Sequence, residues 1–434
     1  MNYDEFIALI RREVKPALGC TEPIAVALAS ARACEELRTC GKEPNTIEVE
    51  VSPNILKNGM GVGIPGTGMV GLHIAAALGA VCGRSKYGLE VLHELCSESV
   101  SLAKAMTEEG RVKVSLAQTS EVLYVKGCAS SGSHRAEAVI SGSHDNIVSV
   151  SFDGAERLSA TQGCNCDSSS PAAPDYDPDM ARKITVRQIF DFACNVPLEK
   201  IEFMMESVEM NKRLSNEGIT HPYGLQVGRT LLAEDNSPVY GDNLLTYAMA
   251  CTAAASDARM AGCTLSAMSN SGSGNQGVTV TMPVISIAEK TGASHEQLMR
   301  AIALAHLVAI HIKGYLGRLS ALCGCVIAST GASCGIVYLR GGGYEEVCSS
   351  IKNMIGNITG MVCDGAKVGC ALKVASGVAC ALQSAVLALE GKCFSPNDGI
   401  IEEDIEKTIS NLGRIGSVGM RSTDEMILDI MTCK

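Results

Sequence analysis

"RVKVSLAQTSEVLYVKG" at residues 111–127 and "RAEAVISGSHDNIVSVSFDG" at 135–154 decide the fold class. Apolar and polar residues alternate along both, the period-2 pattern of strands with one buried face. In the second stretch the alternation breaks at 141–146, "SGSHDN", where turn formers collect, so the pattern predicts a hairpin. "NTIEVEVSPN", 45–54, alternates in the same way. Between these lies "GVGIPGTGMVGLHIAAALGAVCG", 61–83, a glycine-rich loop running into an apolar helix. After residue 184 the alternation disappears. Nearly every later segment has helical periodicity, with glycine-rich breaks at 271–277, 331–343 and 363–369. The expected class is α+β: a mostly helical lobe with a smaller α+β lobe near the N-terminus.

The boundaries follow from composition. Residues 1–40 read as two helices broken at "KPALGCTEP", expected to pack on the helical lobe. Residues 41–165 form the α+β lobe. "GCNCDSSSPAAPDYDPDM", 163–180, is rich in Ser, Pro and Asp and sets a linker at 166–183. Residues 184–434 make the helical lobe.

The bulk numbers limit the function. A net charge of −11 argues against a nucleic-acid partner, since counterion release needs basic surface. No uninterrupted apolar run reaches the length of a membrane span, and "MNYDEFIALIRREVKP" carries acids where a signal peptide would be apolar. A cytoplasmic location is expected. The 20 cysteines are the unusual count. Without an export signal they should stay reduced, and those in apolar helical contexts, such as Cys34 and Cys251, read as core packing. The cysteines beside glycines invite a chemical reading.

Four glycine-flanked stretches carry that reading. In "LGCTEPIAV", 18–26, Thr21, Glu22 and Pro23 start a helix, which places Cys20 at the positive end of its dipole, where a thiol pKa falls. The plainer reading is a buried cysteine beside a cap. "GVGIPGTGMVG", 61–71, lacks the Lys-Ser/Thr pair of a P-loop and the strand-and-acid context of a dinucleotide site. A loop whose backbone amides hold a small carboxylate suits it better, with Gly66, Thr67 and Gly68 at its centre. "MSNSGSGNQGVTVTMPV", 268–284, offers Ser271, Ser273, Asn275 and Gln276 to a zwitterion; a surface loop is its plainer reading. In "LCGCVIASTGASCG", 322–335, and "MVCDGAKVGCALKVASG", 361–377, Cys323, Cys325, Cys363 and Cys370 all lie close to glycine. A CxC plus a seven-residue pair fits zinc poorly. An iron–sulfur cluster tolerates such spacing, provided the thiolates converge.

Taken in order, "GCTEPIAVALA", "KNGMGVGIPGTG", "SGSGNQG", "CGCVIASTGAS" and "CDGAKVGCALKVA" resemble the L-cysteine desulfidase family, also called UPF0597, across nearly the whole chain. That family is similar to the α-domain of iron–sulfur L-serine dehydratases. The resemblance implies an oxygen-sensitive [4Fe–4S] cluster, no pyridoxal phosphate, and α,β-elimination of L-cysteine to pyruvate, ammonia and sulfide. It implies Cys20 as proton acceptor; on the residues themselves Glu22 is the rival base, and the loops 63–68 and 271–276 would hold carboxylate and ammonium groups. It implies cluster ligands at Cys363, Cys370 and Cys325 (or Cys323). Serine dehydration and a non-catalytic metal- or amino-acid-binding relative remain as alternatives. The partner is a small amino acid, with no nucleic acid and no membrane; a homo-oligomer is left open. Cys433, next to last in "MILDIMTCK", could cap the open iron, against the plainer reading of a frayed end. Cys164 and Cys166 receive no role.

Overall fold

Strand alternation in the first third of the chain produces a mixed sheet, and the computed structural model describes it within residues 2–159, 180–317 and 320–433. Cys164, Cys166 and the proposed linker up to residue 179 lie outside the described residues. The strands are β1 (Pro16–Leu18), β2 (Thr46–Val51), β3 (Val112–Leu116), β4 (Tyr124–Ser131), β5 (His134–Ser141), β6 (Ile147–Phe152), β7 (Ala155–Ser159) and β8 (Ser266–Met268). Six of them form one sheet in the order β3-β2-β4-β5-β6-β7. The β2–β3 pair is parallel and the others antiparallel. The β5–β6 hairpin turns at the expected place. The class is α+β and mostly helical.

The inner face of the sheet is built from small residues. Register pairs Gly127 with Val49 and Ala138, and Ala129 with Ile47 and Ala136. The helix Thr21–Thr39 lies on this face, and a Cβ at Gly127 would fall 2.7 Å from the Ala29 carbonyl carbon. On its other side the helix Leu72–Cys82 presses so close that a Cβ at Gly79 would sit 2.2 Å from the Ala27 oxygen. Every residue from Thr21 through Ala31 is buried.

This placement corrects one expectation. Only the first N-terminal helix, Tyr3–Glu13, joins the helical lobe, where Phe6 stacks on Phe192 at 4.7 Å. The second belongs to the core of the sheet, where its Ala-rich surface lies close against the Gly/Ala ladder. Between the two helices the chain makes a strand that sequence patterning missed. β1 pairs antiparallel with β8, Pro16 opposite Met268 and Leu18 opposite Ser266. The ribbon carries the chain from one lobe to the other and brings "GCTEP" beside "SNSGSGNQ".

In the helical lobe the helix Gly324–Leu339 is buried from Cys325 through Val337. It packs against the helices Gly274–Thr291, His295–Leu316, Tyr344–Ile358 and Cys370–Leu389. Two of these, His295–Leu316 and Cys370–Leu389, are long and apolar enough to cross a membrane by length and composition, although neither is an uninterrupted apolar run: His306 and His311 break the first and Lys373 the second. In the first, 72% of the most apolar window is buried inside the protein, which accounts for its composition; in the second, 44% is. The last helix, Arg421–Thr432, returns to the α+β lobe, where Asp424 pairs with the buried Lys57.

Gly79→Ala should drive the two crossing helices apart, since the methyl would meet backbone rather than a side chain that can move. Overpacking of this kind destabilises by about 1–3 kcal/mol. A thermal melt should show the midpoint lowered by a few degrees or more; an unchanged melt would mean the helices slide without loss.

Candidate active site

The two lobes border an inner cavity of about 120 Å³. Cys20, Glu22 and Asn58 reach it from the α+β lobe, and Arg259, Ser273, Asn275 and Gln276 from the helical lobe. Cys323, Cys325, Cys363, Cys370 and Lys373 complete the wall. Residues scattered from 20 to 373 in sequence therefore face one space.

Backbone pairing brings the cysteine segments together. Leu322 bridges antiparallel to Val362, the Cys323 amide donates to Met361 O at 3.0 Å, and the Cys363 amide to Ala321 O at 2.7 Å. The Cys323 thiol donates to the Cys363 sulfur, which pushes the Cys323 pKa up and the Cys363 pKa down. Lys57, the Gly365 amide and Lys373 also favour the Cys363 thiolate, against the effect of burial. Gly365 can approach because it has no side chain: φ is +91° and a Cβ would lie 2.4 Å from Lys57 O. Cys370 opens the helix Cys370–Leu389; burial raises its thiol, and its Sγ lies 3.9 Å from Gly365 O. The Cys325 thiol instead donates to Lys373 O at 3.1 Å, burial pushes it up to about 12, and a Cβ at Gly377 would fall 2.5 Å from its sulfur.

The question raised by two lysines and a carboxylate among these thiols has a structural answer. Lys373 Nζ donates to Asp364 Oδ1 at 2.5 Å and to Val362 O at 2.7 Å, and Lys367 pairs with the other Asp364 oxygen. Burial works against the Asp364 charge, but the hydrogen bonds from Lys367 and Lys373 hold its carboxyl well below the usual range. The salt bridges pin the turn between the two cysteines.

Cys20 departs from the sequence expectation. It occupies the N-cap of its helix without a side-chain capping bond, and its thiol donates to Glu22 Oε2 at 3.2 Å. Burial and the Glu22 charge raise its pKa strongly, overriding the helix dipole. Burial also opposes ionisation of Glu22, yet the His144 charge, the Cys20 thiol and Arg259 together keep its carboxyl low. Asn58 Nδ2 donates to Glu22 Oε1 at 3.1 Å, and His144 Nε2 stands 3.9 Å from that oxygen. At rest the pair is a thiol hydrogen-bonded to a carboxylate.

Arg259 is the residue that sequence reasoning missed. It is 2% exposed, donates from Nη2 to Gly19 O at 2.6 Å and from Nη1 to Asn275 Oδ1 at 3.2 Å, and its Nε has no hydrogen-bond partner among the described residues. A lone arginine in the Ala-rich run "AAASDARM" was the available signal, since a fully buried charge needs a compensating partner. Gln276 Nε2 donates to Asn270 Oδ1 at 2.8 Å, and Asn270 Nδ2 in turn lies 3.0 Å from His306 Nδ1. That network fixes the Gln276 amide at the cavity wall. Ser273 caps the helix Gly274–Thr291 and also lines the cavity.

Four expected binding residues do not line it. Gly66, Thr67 and Gly68 belong to a brace: the Gly66 amide donates to Gly262 O at 3.1 Å and Thr67 Oγ1 to Ile64 O at 2.8 Å. Pro65 in the same loop supports Gly19, the residue before Cys20. Ser271 has φ +48°, donates from its amide to Glu13 O at 2.8 Å, and lines an outer cleft of about 630 Å³ instead. Cys433 is exposed, although Met431, two residues earlier, reaches Gly365.

Among the described residues no three His, Cys, Asp or Glu side chains close on a single metal ion. The expected convergence on one point is thus met only as a shared cavity wall. A polynuclear iron–sulfur core takes its thiolates on separate irons, so its donors stand apart. A set of soft sulfur donors without a histidine or carboxylate among them fits such a core on chemistry.

The serine dehydratase alpha chain family matches residues 86–429. A UPF0597 protein of Bacteroides fragilis is 47% identical over 431 residues, covering 99% of this chain and 98% of its own. One from Oleidesulfovibrio alaskensis is 48% identical over 433 residues, 100% of this chain and 99% of its own. One from Shewanella pealeana is 45% identical over 430 residues, 99% of this chain and 98% of its own. Cys20 and Glu22 precede the dehydratase match, but the full-length relatives span them. With cysteine loops, buried arginine and thiol–carboxylate pair around one cavity, the chain belongs to the serine dehydratase alpha chain family, among its UPF0597 members.

Proposed function

We propose that the protein eliminates sulfide from L-cysteine, leaving pyruvate and ammonia, at a [4Fe–4S] cluster in the inner cavity and without pyridoxal phosphate. The observation that carries this reading is the single wall shared by Cys20, Glu22, Arg259 and the cysteines of both loops. Cys323, Cys363 and Cys370 would hold the cluster. Cys323 is preferred to Cys325 because its thiol already meets Cys363, whereas the Cys325 thiol is turned onto a carbonyl behind Gly377. When bound, the cluster supplies an electron-poor iron with an open position for the leaving sulfur.

The chain's own residues supply the remainder. Arg259, buried and with Nε unpartnered among the described residues, suits the substrate carboxylate; Asn275 lies beside it and Gln276 lines the same wall. Glu22 takes the Cys20 proton, and the resulting thiolate takes the proton from Cα. The C–H electron pair becomes the Cα–Cβ double bond as the C–S bond breaks. The aminoacrylate released hydrolyses to pyruvate and ammonia. L-Serine dehydration is the second reading, favoured by the family match at residues 86–429.

Protein purified without air should be brown. It should release sulfide from L-cysteine faster than it forms pyruvate from L-serine. A faster serine reaction would move the substrate to serine while keeping the site. A colourless protein inert to both would make it a binding protein.

Cys20→Ser and Glu22→Gln should each keep the colour and lower kcat on the order of a hundredfold, the scale of a lost general base. A variant that bleaches would make the altered residue a support of the cluster instead. Arg259→Lys retains the charge but not the planar fork. It should raise KM about tenfold or more, the scale of one lost hydrogen bond to a charged group, and an unchanged KM would place the carboxylate elsewhere.

A further inference from the structure

Glu22 is the only carboxylate among the described residues that line the inner cavity, and both its oxygens already accept hydrogen bonds, Oε2 from the Cys20 thiol and Oε1 from Asn58. A zwitterion with its carboxylate on Arg259 needs another acceptor for its ammonium. Asn275 Oδ1 is taken by Arg259 Nη1. Asn58 Oδ1 has no partner among the described residues but is shut inside the protein. The amide oxygen left on the wall is Gln276 Oε1.

The direction of the Gln276 amide follows from a chain of hydrogen bonds that begins at a backbone carbonyl. Asn270 Nδ2 lies 3.3 Å from His306 O and 3.0 Å from His306 Nδ1. A carbonyl can only accept, so the nitrogen end of Asn270 faces residue 306. Burial pushes the His306 pKa down to about 3, which leaves the ring neutral and lets Nδ1 accept as well. Asn270 Oδ1 therefore points away from His306 and accepts from Gln276 Nε2 at 2.8 Å and from Ser271 Oγ at 2.9 Å. With its nitrogen engaged, Gln276 turns Oε1 the other way, where it has no hydrogen-bond partner among the described residues, although the residue is only 2% exposed. A Cβ at Gly324 would lie 3.3 Å from that oxygen, so the absent side chain between Cys323 and Cys325 keeps its approach open.

Resting on the amino-acid elimination reading above, we propose that Gln276 Oε1 is the acceptor for the substrate's α-ammonium, and that Asn270, anchored on His306, is the positioning residue that keeps this oxygen rather than the amide nitrogen toward the cavity. The guanidinium then meets one end of an α-amino acid and the amide oxygen the other, with the substrate side chain left to the cysteine loops. An inverted amide would set an N–H against the ammonium, donor against donor. Because the amide is neutral, the ammonium is held without a second carboxylate, whose charge would raise the Cys20 thiol further.

Calorimetric titration of the anaerobically purified full chain with L-alanine and with propionate reads this site without turnover, since the two differ by the ammonium and neither carries a leaving group. The wild type should bind alanine about tenfold or more tighter than propionate, the scale of one hydrogen bond to a charged group. Gln276→Met, of similar length but without the oxygen, should lose that preference and keep the propionate affinity, which also shows the pocket intact. Asn270→Leu, or Asn270→Ala should leucine not fit, should narrow the preference. Asn270→Asp, which retains an acceptor toward Gln276 Nε2, should restore it. Equal binding of the two ligands by the wild type overturns the ammonium site, as does a Gln276→Met protein that keeps the preference or loses both ligands together. An unchanged preference without the Asn270 amide overturns the positioning role alone. A wild type that prefers alanine yet eliminates neither cysteine nor serine removes the proposed reaction and leaves this site standing.

Discussion

A guanidinium out of contact with solvent holds the two lobes in register. Arg259 belongs to a helix of the helical lobe, yet its shortest hydrogen bond goes to the carbonyl of Gly19, one residue before Cys20. Isolated in apolar surroundings that charge would be untenable. It is tolerated because Gly19 O and Asn275 accept from it, and because Gly274 leaves room: a Cβ there would lie 2.3 Å from Nε. The β1–β8 ribbon, the Pro65 brace under Gly19 and the cap at Ser273 all fix the partners of this one cation. The cost of burying the charge sets how accurately the turn before Cys20 must meet the loop before Gly274.

The chemistry of the thiols follows from the same economy of water. Cys20, Cys325 and Cys370 are raised chiefly by burial and Cys323 chiefly by its hydrogen bond to Cys363, whereas Cys363 is lowered by that same bond and by the nearby charges of Lys57 and Lys373, against burial. The helix dipole acts on Cys20 over a fraction of a charge. A full carboxylate at 3.2 Å outweighs it.

These competing magnitudes explain what could be read from the sequence. The hairpin at 135–154, the helical run after 184 and the grouping of Cys20 with the glycine-flanked cysteines at one cavity were legible, because alternation and glycine placement are local signals. The β1–β8 ribbon was not: each strand has three residues, and its partner lies about 250 positions away. Ser271 and Ser273 are two residues apart on a polar run, but a left-handed φ at Ser271 turns it toward the other cleft. Gly66 to Gly68 carry the composition of an anion loop and serve as backbone packing instead, a distinction that only the neighbours Gly262 and Leu95 reveal. Arg259, Lys57 and His144 were passed over since single charged residues in long apolar or mixed segments have no spacing to betray them.

The pairing of Lys57 with Asp424 bears on the order in which the protein is made. Lys57 is 1% exposed, and its carboxylate partner lies 367 residues further along the chain. During synthesis the α+β lobe emerges long before that carboxylate exists. A buried ammonium without its carboxylate is costly, so the helix Pro53–Gly59, whose Lys57 carbonyl backs the turn at Gly365, depends on an acid drawn from the far end of the chain. The wall carrying Cys363 is thereby tied to the helix Arg421–Thr432, although that helix contributes no side chain to the cavity.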